Sequence, residues 1–125
     1  MKKEDLHILA VDDDMINLKL LKSMLLKTGQ VTKVTEAKNG EIAIEILKND
    51  QSVDLVLLDI IMPIMGGIDV LKVARADSRL NQVPIIVLTT DETKKGEAME
   101  VGANDFLMKP IRKDDLLVKI NNILV

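Results

Sequence analysis

Five short apolar segments alternate with segments of helical periodicity, and this alternation constrains the fold more than any other feature. The apolar segments cover residues 6–11, 53–58, 84–88 and 105–108, with a weaker one through Val31, Val34 and Ala37. Between them, apolar side chains recur three or four residues apart, as at Leu18, Leu21 and Leu25. Almost continuous apolar strands are typical of a parallel sheet that helices cover on both faces. The pattern therefore predicts a doubly wound α/β fold with a five-stranded parallel sheet.

Local signals predict where several helices begin and end. Asp14 follows the first strand and can cap the first helix, because its carboxylate accepts from free backbone N–H groups. The fourth helix, from about Glu92 to Val101, is nearly all polar, so we expect it to be the most exposed. Gly102 is predicted to end it, since glycine adopts positive φ without strain.

Size and composition exclude several classes of protein. A length of 125 residues predicts one domain, 1–125. The net charge of −3 and the single aromatic residue argue against direct nucleic-acid binding. The absence of cysteine and the presence of one histidine, His7, exclude disulfides and every metal site that needs thiolates or two imidazoles. No apolar run is long enough for membrane insertion and no signal peptide is evident, so we expect a cytoplasmic location.

The polar side chains that could take part in a reaction lie at the ends of the predicted strands. These are Asp12 and Asp13 after the first strand, Asp59 after the third, Thr89 and Thr90 after the fourth, and Lys109 after the fifth. Ligands of doubly wound sheets bind at this edge. Carboxylates about 4 Å apart repel by roughly 4 kcal/mol at an effective dielectric near 20, so they need a cation or a proton. Oxygen ligands suit Mg²⁺, which often also binds phosphate.

A carboxylate beside such a metal can accept a phosphoryl group, while a lysine and a hydroxyl neutralise the charge on its oxygens. Each of these residues alone would usually be a cap, a turn or a surface residue, so the prediction depends on their combination. His7, just before the first strand, is interpreted as a surface or packing residue without a catalytic role.

Four motifs give the whole chain a specific resemblance to a known family. They read VDDD at residues 11–14, LLDIIMP at 57–63, VLTT at 87–90 and GANDFLMKP at 102–110. This set resembles the receiver domain of two-component response regulators. The resemblance implies a flavodoxin-like (βα)5 fold with strand order 2-1-3-4-5.

The resemblance also implies roles for individual residues. Asp59 would accept a phosphoryl group from a sensor histidine kinase or phosphotransfer protein. Asp13, Asp59 and the backbone carbonyl of Ile61 would ligate Mg²⁺, with Asp12 acting through a water, and Lys109 would contact the phosphoryl oxygens. Such a protein is not an enzyme but a phosphoacceptor that promotes its own phosphoryl transfer and slow autodephosphorylation.

A switch and its partners are implied in the same way. Thr89 would move onto the phosphoryl group, Phe106 would be the aromatic switch, and the Lys109–Pro110 peptide would be cis. The surface of the fourth helix, fifth strand and fifth helix would bind a downstream protein, and a phosphatase is a possible further partner. Since the chain ends at Val125 without a predicted output domain, we expect the signal to leave by protein contact, to a motor, a phosphorelay or an enzyme; that the chain is an excised domain of a longer protein is the alternative.

Three departures from the family pattern stand out. Met65-Gly66-Gly67 lacks the carboxylate usual at the middle position, which should matter little. The stretch from Thr89 to Gly102 is about two residues short, so the length of the fourth helix is open. Ile61 places an apolar side chain where it could shield a phosphoryl group from water.

Two other functions are compatible with parts of the sequence. The Asp-x-Asp of residues 12–14 also fits a haloacid-dehalogenase-like phosphatase with Asp12 as nucleophile, but that interpretation leaves Asp59 without a role. The other is an interaction module that is never phosphorylated, against which the complete set of polar strand-end residues argues.

Overall fold

The computed structural model describes residues 4–124, so positions 1–3 and Val125 of the predicted domain lie outside the described residues. The strands are β1 Leu6–Val11, β2 Val31–Ala37, β3 Leu55–Asp59, β4 Ile85–Thr89 and β5 Asp105–Met108. The helices are α1 Met15–Leu26, α2 Gly40–Asn49, α3 Gly67–Ala76, α4 Lys95–Val101 and α5 Lys113–Ile123, with a 3₁₀ turn at Glu92–Lys94 before α4. All strand pairs are parallel, in the order β2-β1-β3-β4-β5. The predicted fold class and strand order are confirmed.

Helices cover both faces of the sheet and form two separate cores. The buried side chains of α2, α3 and α4 pack on one face, and those of α1 and α5 pack on the other. Successive strand residues alternate between the two cores: Val87 belongs to the α4 side and Leu88 to the α1 side. Within residues 4–124 no helix is long and apolar enough to cross a membrane. The cytoplasmic location stays a prediction.

Helix ends follow the local signals, with one exception in α4. Asp14 caps α1 by accepting from the backbone N–H of Ile16 at 2.8 Å, and Gly102 ends α4 at φ 127°. The predicted single helix from Glu92 is wrong in its first turn. Asp91 accepts there from the N–H of Thr93 at 3.0 Å and caps a 3₁₀ turn, so α4 proper has only seven residues. As expected, α4 is highly exposed, with Ala98 as its buried residue.

The structure differs from three predictions about the strands. β3 begins at Leu55 and includes Asp59, and β4 begins at Ile85 and includes Thr89. Asp59 still pairs with Leu88, so the ladder continues to the functional residues. His7 lies inside β1, not before it, and is buried. Its ring nitrogens lie 2.8 Å from Ser52 Oγ and 2.7 Å from Thr35 Oγ1, which agrees with the interpretation as a packing residue.

Candidate functional site

The carboxyl ends of β1, β3 and β5 bring two acids and one lysine into direct contact. Lys109 Nζ lies 3.0 Å from Asp12 Oδ2 and 3.3 Å from Asp59 Oδ1. Both carboxylates are buried, Asp12 being 4% and Asp59 6% exposed. The lysine is 97 residues from Asp12 in sequence, so only the order of the strands places it here. It bridges the two acids and partly neutralises them.

Asp13 completes a cluster of three carboxylates that suits a hard cation. Oxygens of Asp12, Asp13 and Asp59 all lie within 4.8 Å of one another, and Asp13 is open to solvent. Three negative charges face the single ammonium of Lys109, so the cluster keeps an excess of negative charge. All-oxygen donors with an exposed side match the preference of Mg²⁺ for a few carboxylates and several waters. The residues therefore fit Mg²⁺, while the contribution of the Ile61 carbonyl stays a prediction.

Burial and neighbouring charges shift both central ionisable groups of the cluster. Burial raises the pKa of Asp59 to about 6, Lys109 opposes this rise, and Asp12 and Asp13 add to it by repulsion. Burial disfavours the charge on Lys109, but its hydrogen bond to Asp12 and the two carboxylate charges outweigh that effect and raise its pKa. Lys109 therefore stays charged at neutral pH, and Asp59 is predominantly ionised.

The two threonines at the end of β4 have different environments. Thr89 is fully buried, whereas Thr90 is exposed. Thr89 Oγ1 accepts a hydrogen bond from the backbone N–H of Asp91 at 3.0 Å. Its own proton remains available for donation to another acceptor. The Thr89 carbonyl accepts from the N–H of Lys109 at 2.8 Å, which joins β4 to the lysine-bearing loop.

Phe106 lies in β5 on the sheet face that α4 covers. The residue is 8% exposed, and Lys95 Nζ, at the start of α4, lies 5.5 Å from the centre of its ring. A cation over an aromatic face is attracted by about 0.5–1 kcal/mol at an exposed site. The Lys109–Pro110 peptide is cis, as the resemblance implied.

A glycine that the sequence reasoning treated only as a turn residue allows α3 to approach the site. A Cβ on Gly67 would lie 2.5 Å from the carbonyl oxygen of Asp59. Gly67 also donates its N–H to the carbonyl of Ile60 at 2.8 Å, which fixes the loop after β3. Gly66 caps α3 without a side-chain hydrogen bond, so the carboxylate missing from this position costs one capping contact. In the sequence, the Gly66-Gly67 pair is the signal that could have indicated this close approach.

The fold and the cluster define a class: a doubly wound α/β protein with an acidic, lysine-bridged pocket at the carboxyl edge of its sheet. The model of the response regulator receiver domain matches residues 8–121. The chain is 32% identical over 121 residues to the two-component response regulator ORR3 of Oryza sativa subsp. indica, covering 95% of this chain and 91% of that protein. It is 34% identical over 127 residues to the response regulator ARR17 of Arabidopsis thaliana, covering 91% and 82%.

Solved structures agree with these matches. A putative response regulator from Chloroflexus aurantiacus superposes with a TM-score of 0.86 at 33% identity, covering 95% of this chain and 97% of the other. The chemotaxis response regulator CheY4 of Vibrio cholerae superposes with a TM-score of 0.85 at 30% identity, covering 94% and 98%. The chain belongs to the response regulator receiver domain family.

Proposed function

We propose that this receiver domain is a phosphoacceptor and that Asp59 takes the phosphoryl group. The observation that carries the proposal is the bridge from Lys109 to two buried carboxylates, with a third carboxylate close by. Asp59 is the last residue of the central strand β3. The charges of Lys109, Asp12 and Asp13 all act on its carboxylate. A structural ion pair alone would not require three acids around one lysine.

The transfer is a displacement at phosphorus. An ionised Asp59 oxygen forms a bond to phosphorus while the bond to the nitrogen of the donor's phosphohistidine breaks, and the departing imidazole takes up a proton. The Lys109 ammonium, already 3.3 Å from Asp59 Oδ1, offsets the charge on the transferred oxygens. Mg²⁺ would supply further positive charge; Asp13, Asp59 and the Ile61 carbonyl would hold it directly, and Asp12 through a water. The buried Thr89 hydroxyl can donate its proton to a phosphoryl oxygen.

The donor is a sensor histidine kinase or a phosphotransfer protein. Exposed apolar side chains support a protein donor: Met15 and Ile16 follow the acids of β1 and are 57% and 72% exposed, and Ile61 follows Asp59 and is 60% exposed. Slow autodephosphorylation, or a phosphatase, would reset the domain. The surface formed by α4, β5 and α5 would bind the downstream protein, because Thr89 and Phe106 lie under α4.

The test is phosphorylation by a small donor. The chain incubated with phosphoramidate and Mg²⁺ should gain the mass of one phosphoryl group, and Asp59→Asn should gain none. Asp12→Asn tests the alternative nucleophile, because Asp12 is the other buried acid that binds Lys109. If Asp59→Asn kept the gain and Asp12→Asn lost it, the phosphatase alternative would replace this proposal. No gain in the parent chain would favour the interaction module.

A further inference from the structure

Arg75, near the end of α3, uses its charged side chain to hold neutral oxygens. Its Nε donates to the Gly102 carbonyl at 2.9 Å, one terminal nitrogen donates to the Leu80 carbonyl at 3.3 Å, and the other donates to Asn104 Oδ1 at 2.9 Å. The side chain is half-buried, and burial lowers the pKa of Arg75. A hydrogen bond from arginine to a carboxylate is stronger than one to a neutral oxygen. The choice of neutral oxygens therefore indicates that this side chain serves to position the backbone segments that it contacts.

These contacts anchor the C-terminal end of α4 to rigid parts of the fold. Asn104 Oδ1 also accepts from the N–H of Ile85, and the N–H of Asn104 donates to the carbonyl of Ile85, both at 2.8 Å. Arg75 therefore joins α3, the start of β4 and the connection from α4 to β5. Gly102 packs so closely that a Cβ there would lie 2.8 Å from Arg75 Cγ. Little space is left for this end of α4 to move.

The N-terminal end of α4 is held more weakly, and by groups that belong to the proposed switch. The N–H of Asp91 donates to Thr89 Oγ1, and Lys95 lies over the Phe106 ring. The 3₁₀ turn between them has no buried residue. A displacement of Thr89 or Phe106 would therefore act on this end of the helix first.

We propose that Arg75 makes the C-terminal end of α4 a fixed pivot, so that phosphorylation of Asp59 rotates α4 about Gly102. The inference rests on the proposed function and specifies how the signal leaves the site. Residues 91–95 move, while residues 102–104 keep their position. A seven-residue helix is about 10 Å long, so a modest rotation at Gly102 displaces the start of α4 most. A downstream protein that senses the switch would then read the start of α4.

The experiment compares amide chemical shifts of the full chain with and without beryllofluoride and Mg²⁺, which mimic the phosphoryl group. In the parent chain, shift changes should be at least threefold larger at residues 91–95 than at residues 102–104. In Arg75→Gln, which loses the charge and most donors, changes at residues 102–104 should at least double. Arg79→Gln is the matched control, because Arg79 is exposed and pairs with Asp77. In this variant, the distribution of shift changes along the chain should match that of the parent chain.

Arg75→Lys provides a second variant in case Arg75→Gln does not fold, because a lysine keeps the charge but cannot reach three acceptors at once. A loss of stability alone would not alter where the mimic acts, so the distribution of shift changes is the diagnostic readout. The mimic could change the amide shifts near Asp59 and also change those of residues 102–104 of the parent chain as much as those of residues 91–95. That result would refute the pivot and keep the phosphoacceptor role. The pivot is also refuted if both Arg75 variants keep the parent profile. If the mimic left the surroundings of Asp59 unchanged, both proposals would fail.

Discussion

Replacing Asp59 with asparagine should stabilise the protein in the absence of divalent cations. The side chain is buried beside Asp12 and Asp13, and its pKa of about 6 shows that the folded state disfavours its charge. Asparagine has nearly the same shape and no charge, so it removes the repulsion. Lys109 keeps Asp12 as a partner at 3.0 Å.

The magnitude follows from the difference between the folded and the ordinary pKa. A pKa of about 6 against 3.8 for Asp59 corresponds to about 3 kcal/mol at 1.36 kcal/mol per pH unit. The amide loses part of the attraction to Lys109, so we expect a net gain of about 1–3 kcal/mol in the free energy of unfolding, roughly 4–12 °C in Tm. The size of this gain depends on pH. Below about pH 3.8 the carboxyl is protonated in both states and the gain is absent; it grows as the pH rises and is complete above about pH 6.

The assay is urea unfolding followed by far-ultraviolet circular dichroism in EDTA, at pH 7.5 and at pH 4. The control is Asp13→Asn, whose carboxylate is exposed and should give a smaller gain. Saturating Mg²⁺ should reduce the advantage of Asp59→Asn, because the cation stabilises the parent chain. Equal stability of parent and variant at pH 7.5, or an equal gain at pH 4, would show that burial and repulsion at Asp59 do not oppose folding.

Three further predictions concern glycines and the metal. Gly67→Ala should lower the free energy of unfolding by about 2–4 kcal/mol, because its Cβ would lie 2.5 Å from a backbone atom. The control is Gly66→Ala, whose Cβ would lie 3.1 Å from the nearest atom and which should change the free energy of unfolding by less than about 1 kcal/mol. Similar losses for the two variants in urea unfolding would contradict the close approach at Gly67. Gly96→Ala in α4 meets nothing within 4 Å and should add about 0.5–1 kcal/mol by the same assay; a loss would indicate a contact at that position. Asp13→Asn should abolish most of the rise in Tm that Mg²⁺ produces, and an undiminished rise would place the metal elsewhere.

Elements with strong local signals were predicted well, and those that depend on neighbours were not. β1 was placed at residues 6–11, as observed, because a continuous apolar run bounded by three aspartates leaves little choice. The ends of β3 and β4 were misplaced by one or two residues, since the ladder continues for as long as the neighbouring strand supplies partners. The start of α4 was wrong because Asp91 caps a 3₁₀ turn there, and one residue type can cap either kind of helix.

The sequence by itself determined the alternation of strands and helices, the parallel sheet and the presence of acids, a hydroxyl and a lysine at one edge. These follow from the hydrophobic periodicity of each segment and from the alternation of strands with helices, which makes successive strands parallel. Only the tertiary structure decided that Lys109 bridges Asp12 and Asp59, that Thr89 rather than Thr90 is buried, and that Arg75 holds the end of α4. Such contacts join residues 27 to 97 positions apart, and their distances depend on strand order, pleat and packing, none of which a local segment specifies.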